Sequence, residues 1–239
     1  MLAVLSNRPL TETVNEMKLS GVQGLHIQPG QFVNIQIEGL YLRRPISVCD
    51  VNEDVLTIVY RTVGRGTDAL SRMKEGQLLD VLCELGSGYD LSRSGKNPLL
   101  IGGGVGVPPL YFLARKLLAQ GKQVTVILGF NTKAEIFYEE EFRALGARVI
   151  VTTADGTYGT KGFVTDALVP CDYFYACGPI VMEKAIHKII ESDGEYSLEE
   201  RMGCGFGACM GCSLETASGN KRICREGPVF RKEELLWND

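Results

Sequence analysis

Near residue 95 the hydrophobic rhythm of the chain changes, and the two sides of that change require different architectures. Before it, apolar residues come in short runs broken by glycine: QFVNIQI, ISVCDV, VLTIVYRTV and LLDVLCEL. Runs of roughly four to eight residues with period-two alternation read as strands. Only Thr67–Met73 carries helical spacing in this half, so a small antiparallel barrel is expected. From Pro98 onward strand and helix alternate. PLLIGGG, VTVILGF, RVIVTT and YFYACG read as strands. Between them, Pro108–Gln120 and AEIFYEEEFRALG read as helices, and a last helix places Met182, Ala185, Ile186, Ile189 and Ile190 on one face. That alternation predicts a parallel sheet with covering helices, and ligands of such sheets lie at the carboxyl ends of the strands. After about Gly194 regular periodicity is lost and glycine and cysteine become frequent.

That glycine- and cysteine-rich tail contains four of the chain's eight cysteines, spaced C-x4-C-x2-C-x11-C at Cys204, Cys209, Cys212 and Cys224. A short tail has little core of its own, so something else must hold it. The first three positions reproduce the spacing that ligates a plant-type 2Fe–2S cluster. Gly203, Gly205, Gly207 and Gly211 suit a loop that turns tightly and aims amide N–H groups at sulfur. Zinc is the main rival, but zinc knuckles come in pairs and only Cys209 and Cys212 form one. A disulfide framework is the third reading. At 239 residues, 45% hydrophobic, with no apolar run of membrane length and no signal peptide, the chain is expected to be a cytosolic protein whose thiols stay reduced. A net charge of −4 gives no basic footprint for nucleic acid. The separated Cys49, Cys83 and Cys171 read as small buried hydrophobes, and His26 and His187 as ordinary surface or core residues.

Three further constellations are individually weak. In LYLRRPISVCD an arginine precedes Pro-Ile-Ser on a strand, which can set a guanidinium on a phosphate and a hydroxyl beside a flavin, although Arg43 and Arg44 read equally as surface charges. IVYRTVGRGT adds Tyr60, able to stack on a flat ring, then Arg61 and a Gly64–Thr67 turn whose amides could cradle a pyrophosphate. LLIGGGVGVPPLYFLARKLL is a strand, glycine turn and helix, the arrangement that brings a diphosphate to a helix N-terminus. It departs from G-x-G-x-x-G because Val107 takes the third glycine's place.

Their order carries more than any one of them. PGQFV at Pro29–Val33, R-x-x-S at Arg44–Ser47, GRGT at Gly64–Thr67, GGGVGVPP at Gly102–Pro109, DGTYGTKG at Asp155–Gly162 and ACGP at Ala176–Pro179 together resemble the ferredoxin reductase family of flavoproteins. That resemblance covers about the first 190 residues. The tail spacing, with SLEERMGCGFGAC, ICREGPVF, LRRPISV and GFVTDAL, is similar to the electron-transfer subunits of class 1B, NAD-dependent dihydroorotate dehydrogenases. An eleven-residue gap before Cys224 is too short for a full ferredoxin fold.

The resemblance implies a β plus α/β multidomain chain: an FAD-binding antiparallel barrel at 1–94, a Rossmann-like NAD domain at 95–193 and a small 2Fe–2S domain at 194–239. It implies Cys204, Cys209, Cys212 and Cys224 as cluster ligands. FAD residues would be Arg44, Pro45, Ile46, Ser47, Val59, Tyr60, Arg61, Gly66 and Thr67. NAD residues would be Gly102, Gly103, Gly104, Gly106, Cys177, Gly178 and Pro179. Ile46 stands where the family more often has tyrosine. The implied partner is an FMN-containing catalytic subunit that oxidises dihydroorotate, in a heterotetramer of two subunits of each kind serving pyrimidine biosynthesis, with no catalytic acid–base residue in this chain. Two alternatives remain open on the residues: a flavin and iron–sulfur subunit of a sulfhydrogenase, oxygenase or glutamate synthase, and a zinc-stabilised binding module. GFNTKAEIFYEEE has no arginine pair for a 2′-phosphate, which favours NAD over NADP.

Overall fold

A computed structural model describes residues 1–237. The first half forms one seven-stranded sheet from β1 (Leu2–Pro9), β2 (Val14–Ser20), β3 (Phe32–Ile35), β4 (Arg44–Asn52), β5 (Val55–Arg61), β6 (Leu78–Leu79) and β7 (Val81–Leu85). Its order is β6-β1-β2-β5-β4-β3-β7. The two edge strands are neighbours in sequence, joined through Asp80, so the sheet must curl until its edges nearly meet. The expected antiparallel barrel is the result. Its inside is filled by alternate residues, among them Met17, Leu19, Val33, Ile35, Leu56, Ile58 and Tyr60.

Helix α1 (Arg65–Ser71) plugs the barrel with Leu70. It starts two residues before the expected Thr67 because the Thr67 hydroxyl accepts the amides of Val63 at 2.9 Å and Gly64 at 3.3 Å, a cap that fixes the turn upstream.

The second sheet contains β8 (Pro98–Gly103), β9 (Thr125–Phe130), β10 (Arg148–Thr153), β11 (Thr160–Lys161), β12 (Tyr173–Cys177), β13 (Gly194–Ser197) and, beyond a hairpin, β16 (Val229–Arg231). The order is β11-β10-β9-β8-β12-β13-β16, parallel throughout except for the β13–β16 pair. The chain leaves β8 toward β9 on one side and returns to β12 on the other, so the topological switch lies between β8 and β12. Helix α2 (Pro109–Ala119) lies between this sheet and the barrel, where Arg115 holds Asp50 of β4 at 2.6 Å.

Three local expectations differ from the structure. AEIFYEEEFRALG is not one helix: α3 covers only Glu139–Ala144, because Tyr138 adopts φ 66°. That turn lets the Tyr138 hydroxyl donate to Glu16 of the barrel at 2.8 Å. Helix α4 (Ile180–Ile189) buries Glu183 and Ile186, and leaves Ile189 54% exposed, so its inner stripe is rotated from the expected one. The tail also contains strands that its composition hid: β13 and β16 extend the parallel sheet, and β14 (Ser213–Thr216) pairs with β15 (Gly219–Arg222). Residues beyond 193 therefore share a sheet and a core with the nucleotide half.

Candidate functional site

The carboxyl end of the parallel sheet opens into a cavity of about 450 Å³ at the switch point. Gly103, Gly104 and Pro179 line it, and Gly102, Gly106, Cys177 and Gly178 lie directly behind that wall. Close packing dictates the glycines there. A Cβ on Gly106 would stand 2.2 Å from the Cys177 carbonyl oxygen, so only glycine lets the β8–α2 turn touch the end of β12. Sequence reading missed the opposite wall, where β9 ends in Gly129 and Phe130 with Asn131 just beyond, and the Gly162–Thr165 segment follows β11. The DGTYGTKG and GFVTDAL motifs carry the signal for the second of these segments, while nothing in the spacing marks Gly129–Asn131. Glu135 also faces this cavity, its carboxylate accepting the Asn131 side-chain amide at 2.9 Å.

A second cavity, about 470 Å³, lies between the barrel and the start of the tail. Arg44, Pro45, Ile46, Ser47, Val59, Tyr60, Arg61 and Thr67 line it, which brings together almost the whole set expected for the flavin. Gly66 completes the set from beneath. A Cβ there would lie 2.1 Å from Arg44 Nε, so the guanidinium is laid across the first turn of α1. The first amides of a helix have no intrahelical acceptor, and a cation beside them makes a phosphate cradle. Tyr60 departs from its expected role. It is 2% exposed and its hydroxyl donates to Asn7 at 2.9 Å, so alternation along β5 commits the ring to the barrel core although the residue counts among those lining the cavity. Leu198, Glu199, Glu200, Met202 and Pro228 form the wall from the tail side. These are residues that motif spacing could not single out.

Arg61 lines both cavities, and its buried Nε has no protein partner. A cation with an unfilled donor between the two chambers suits anionic, hydrogen-bonding cofactors on either side. Glu199 is an exposed residue on the tail-side wall of this cavity, and the partial desolvation it suffers there raises its carboxyl above the ordinary range, with Arg61 pulling the other way.

The four tail cysteines converge as two pairs. Amide Cys204 points at Cys209 Sγ at 3.5 Å, and amide Cys224 at Cys212 Sγ at 3.4 Å. Among the described residues no three His, Cys, Asp or Glu side chains gather as a single metal ion would need. Two pairs suit a two-iron cluster, in which two bridging sulfides leave each iron two thiolates to find. Further amides, of Ala208 at 3.2 Å and Cys209 at 3.4 Å, aim at Cys204 Sγ. Desolvation alone would push the Cys204 thiol up, but the Phe206 amide first, and then those of Cys209 and Ala208 with the Cys209 thiol, outweigh it and bring it down to about 6. Cys224, buried beside Cys212, is pushed up to about 12 by burial and by that neighbour. Cys209 is exposed and Cys212 and Cys224 are buried, so the cluster loop has an outer and an inner edge.

The inner side is tied to the flavin chamber. Asn34, 1% exposed on β3, donates through its side chain to the Cys204 carbonyl at 3.0 Å, and its β4 register partner is Pro45. One strand spacing of about 4.8 Å therefore separates the residue that grips the cluster loop from the Arg44–Ser47 motif. The Ser87 amide donates to the Gly227 carbonyl at 2.6 Å and makes a second tie between barrel and tail.

Comparison with known proteins agrees with this layout. Residues 199–236 match the family described as the iron-sulfur cluster binding domain of dihydroorotate dehydrogenase B, and residues 100–188 match the oxidoreductase NAD-binding domain. The dihydroorotate dehydrogenase B (NAD(+)) electron transfer subunit of Bacillus mycoides (strain KBAB4) is 45% identical, over 98% of this chain and 97% of its own. The same subunit from Bacillus cereus (strain B4264) is also 45% identical with the same coverage. Among solved structures, that of an NADH-dependent reduced ferredoxin-NADP oxidoreductase studied for flavin-based electron bifurcation superposes with a TM-score of 0.90. It shares 31% identity, covering 100% of this chain and 90% of that one. A Neisseria gonorrhoeae ferredoxin NADP+ reductase with bound FAD and NADP shares the fold at a TM-score of 0.67 and 18% identity, over 78% of this chain and 88% of that one.

Proposed function

The chain belongs to the family of dihydroorotate dehydrogenase B electron transfer subunits, and from that membership we propose that it draws electrons from an FMN-bearing, dihydroorotate-oxidising partner and delivers them to NAD+. Its own carriers are a 2Fe–2S cluster and FAD. Labour divides along the chain, with FAD on 1–94, NAD on 95–193 and the cluster on 194–239. Assembly as two subunits of each kind, in the cytoplasm and in pyrimidine synthesis, completes the reading. Among the described residues no helix is long and apolar enough to cross a membrane.

The observation that carries this reading is the tie from the cluster loop through Asn34 to the Arg44–Ser47 strand, with Arg61 exposed to both the flavin and nicotinamide chambers. Cys204, Cys209, Cys212 and Cys224 hold the cluster, and amide donors at Cys204 Sγ favour its thiolate form. Arg44 and the amides at Gly66 and Thr67 bind the FAD diphosphate, while Ile46, Ser47 and Val59 flank the ring. Gly103, Gly104 and Pro179 bind the nicotinamide nucleotide, and Gly106 keeps their wall closed against Cys177. A flavin collects electrons singly and returns them as a hydride, which a cluster cannot do.

The test is anaerobic co-purification with the FMN subunit, followed by mixing. NADH should form from dihydroorotate only when both subunits are present, and absence of turnover with a confirmed FMN partner would falsify the reading. The superposition over the whole chain with the ferredoxin-NADP oxidoreductase favours a second reading, a reductase subunit of another complex. That reading predicts electron exchange with reduced ferredoxin and none with dihydroorotate.

A further inference from the structure

Four buried polar atoms without a hydrogen-bond partner fall in one place: both carboxyl oxygens of Glu183, Nδ1 of His187 and the hydroxyl of Tyr196. Glu183 is wholly inaccessible, on the inner stripe of α4. His187 lies one turn further along and reaches the surface, with its ring centre 5.9 Å from that of Tyr196 on β13. An unsatisfied buried polar group costs about 1–3 kcal/mol, and a core position on an amphipathic helix is easily filled by an apolar residue. Polar atoms kept unpartnered in a row call for bridging water or for chemistry.

The row has a direction. Its outer end is His187, packed on Tyr196 and Trp237, where burial first and the charge of Lys232 next hold its imidazole below the ordinary range. Its inner end is Glu183, whose carboxyl is faced by the Gly178 amide without a hydrogen bond of good geometry and feels the charge of Glu199. Glu199 opens into the flavin chamber with Ser47 and Arg61. Burial, then the charge of Glu199, raises the Glu183 carboxyl well above the ordinary range, which favours its protonated form.

We propose that Glu183 is the proton store of the flavin site, emptied toward the flavin past Glu199 and refilled from solvent through His187 and Tyr196. The proposal rests on the electron-transfer reading above. For each hydride that leaves the flavin for NAD+, two electrons and one proton must first enter it. The cluster delivers the electrons without a proton. Glu183 gives up its carboxyl proton, becomes a carboxylate that its buried site disfavours, and regains a proton from the His187 side. Reduction by NADH is different in kind, because the hydride brings both electrons and the proton together and needs no store.

That difference supplies the experiment. In the FAD- and cluster-loaded protein, flavin reduction is followed by rapid mixing, once with dithionite as a one-electron donor and once with NADH. Glu183→Gln should slow the electron-driven reduction about 10- to 100-fold, within the range of general acid catalysis or just below it, and leave the NADH-driven rate within about twofold. Time-resolved infrared difference spectra during the electron-driven reduction should show a protonated-carboxyl band lost transiently in the wild type and recovered as Glu183 refills, a transient that is missing in Glu183→Gln. Glu183→Asp should restore part of the electron-driven rate, and Tyr196→Phe should slow it without touching the NADH-driven rate, which keeps the test available if the glutamine variant folds poorly. Equal slowing of both reductions, no slowing of either, or a carboxyl transient that persists in Glu183→Gln overturns the proposal. Dithionite and NADH bypass the partner, so a failure with dihydroorotate would count against the assigned partner and not against Glu183.

Discussion

Gly106→Ala should disable the nicotinamide chamber and spare the rest of the protein. The added Cβ would lie 2.2 Å from the Cys177 carbonyl oxygen, 2.4 Å from its carbon and 2.6 Å from Gly178 Cα, where ordinary contact begins at 3.4 Å. Every clashing atom belongs to backbone, so no side chain can swing aside. The β8–α2 turn and the end of β12 must part by about 1 Å, an overpacking strain of about 1–3 kcal/mol. For a chain of this size that lowers the unfolding midpoint by about 2–4 °C per kcal/mol. The larger effect is functional. The displaced atoms carry Gly103, Gly104 and Pro179 with them, and a misplacement of about 1 Å in a reacting geometry costs about 100-fold in rate. Hydride exchange between flavin and NADH should fall by about that factor, and binding of ADP-ribose, a redox-inert probe of the chamber, should weaken. Flavin and cluster absorbance should stay near wild type. A folded Gly106→Ala protein with unchanged ADP-ribose affinity and hydride rate would refute the claim that this close approach builds the site.

Gly66→Ala makes a useful contrast, since its Cβ would meet the Arg44 guanidinium and not backbone. The fold should survive while the cation leaves its place, and both Gly66→Ala and Arg44→Ala should weaken FAD about 10- to 100-fold, the loss of one charge-assisted hydrogen bond, read as flavin retained through gel filtration. Full retention in Arg44→Ala would remove Arg44 from the phosphate site. Asn34→Ala deletes the bond to the Cys204 carbonyl and should hasten loss of iron to a chelator while leaving flavin content unchanged; equal loss rates would show that the tie is idle. Glu195, buried on β13, accepts the Asp90 amide at 3.0 Å, yet desolvation pushes its carboxyl up to about 7 from an unfolded value of 4.5. The folded chain therefore holds a proton that the unfolded chain releases, so this contribution is complete below pH 4.5 and is lost as the pH rises to about 7. Denaturant titrations should show the wild type losing up to about 3 kcal/mol relative to Glu195→Gln across that window, and parallel pH curves would count against the assignment.

How much of this the sequence disclosed depends on the range over which each signal acts. Strand period, the glycine turn after β8 and cysteine spacing are local, and each survived the passage to three dimensions. Tyr60 did not keep its stacking role, because a period-two pattern gives a side chain's face without saying which face is core, and Asn7 claims its hydroxyl from another strand. Tyr138 broke the expected helix for a similar reason: its partners, Glu16 and Cys49, lie across the domain boundary. Glu183 was invisible to helical periodicity, which counts apolar residues and passes over a buried acid on the same stripe. The same limit hid β13 and β16, four and three residues long, which form because β12 offers β13 an edge to pair with and β13 in turn offers one to β16. That edge has a mechanical consequence. By pairing onto the nucleotide sheet on one side, and by gripping β3 through Asn34 on the other, the tail is clamped to both halves of the protein at once. A cysteine loop on a tethered module would sample many distances to the barrel, whereas this one is bonded to Asn34, the register neighbour of Pro45 in the Arg44–Ser47 motif, and is paired to the other sheet on its far side. The relative placement of carriers is therefore a property of the sheet, and mutations in β13 or β16 far from any cofactor should alter electron transfer before they alter cofactor content.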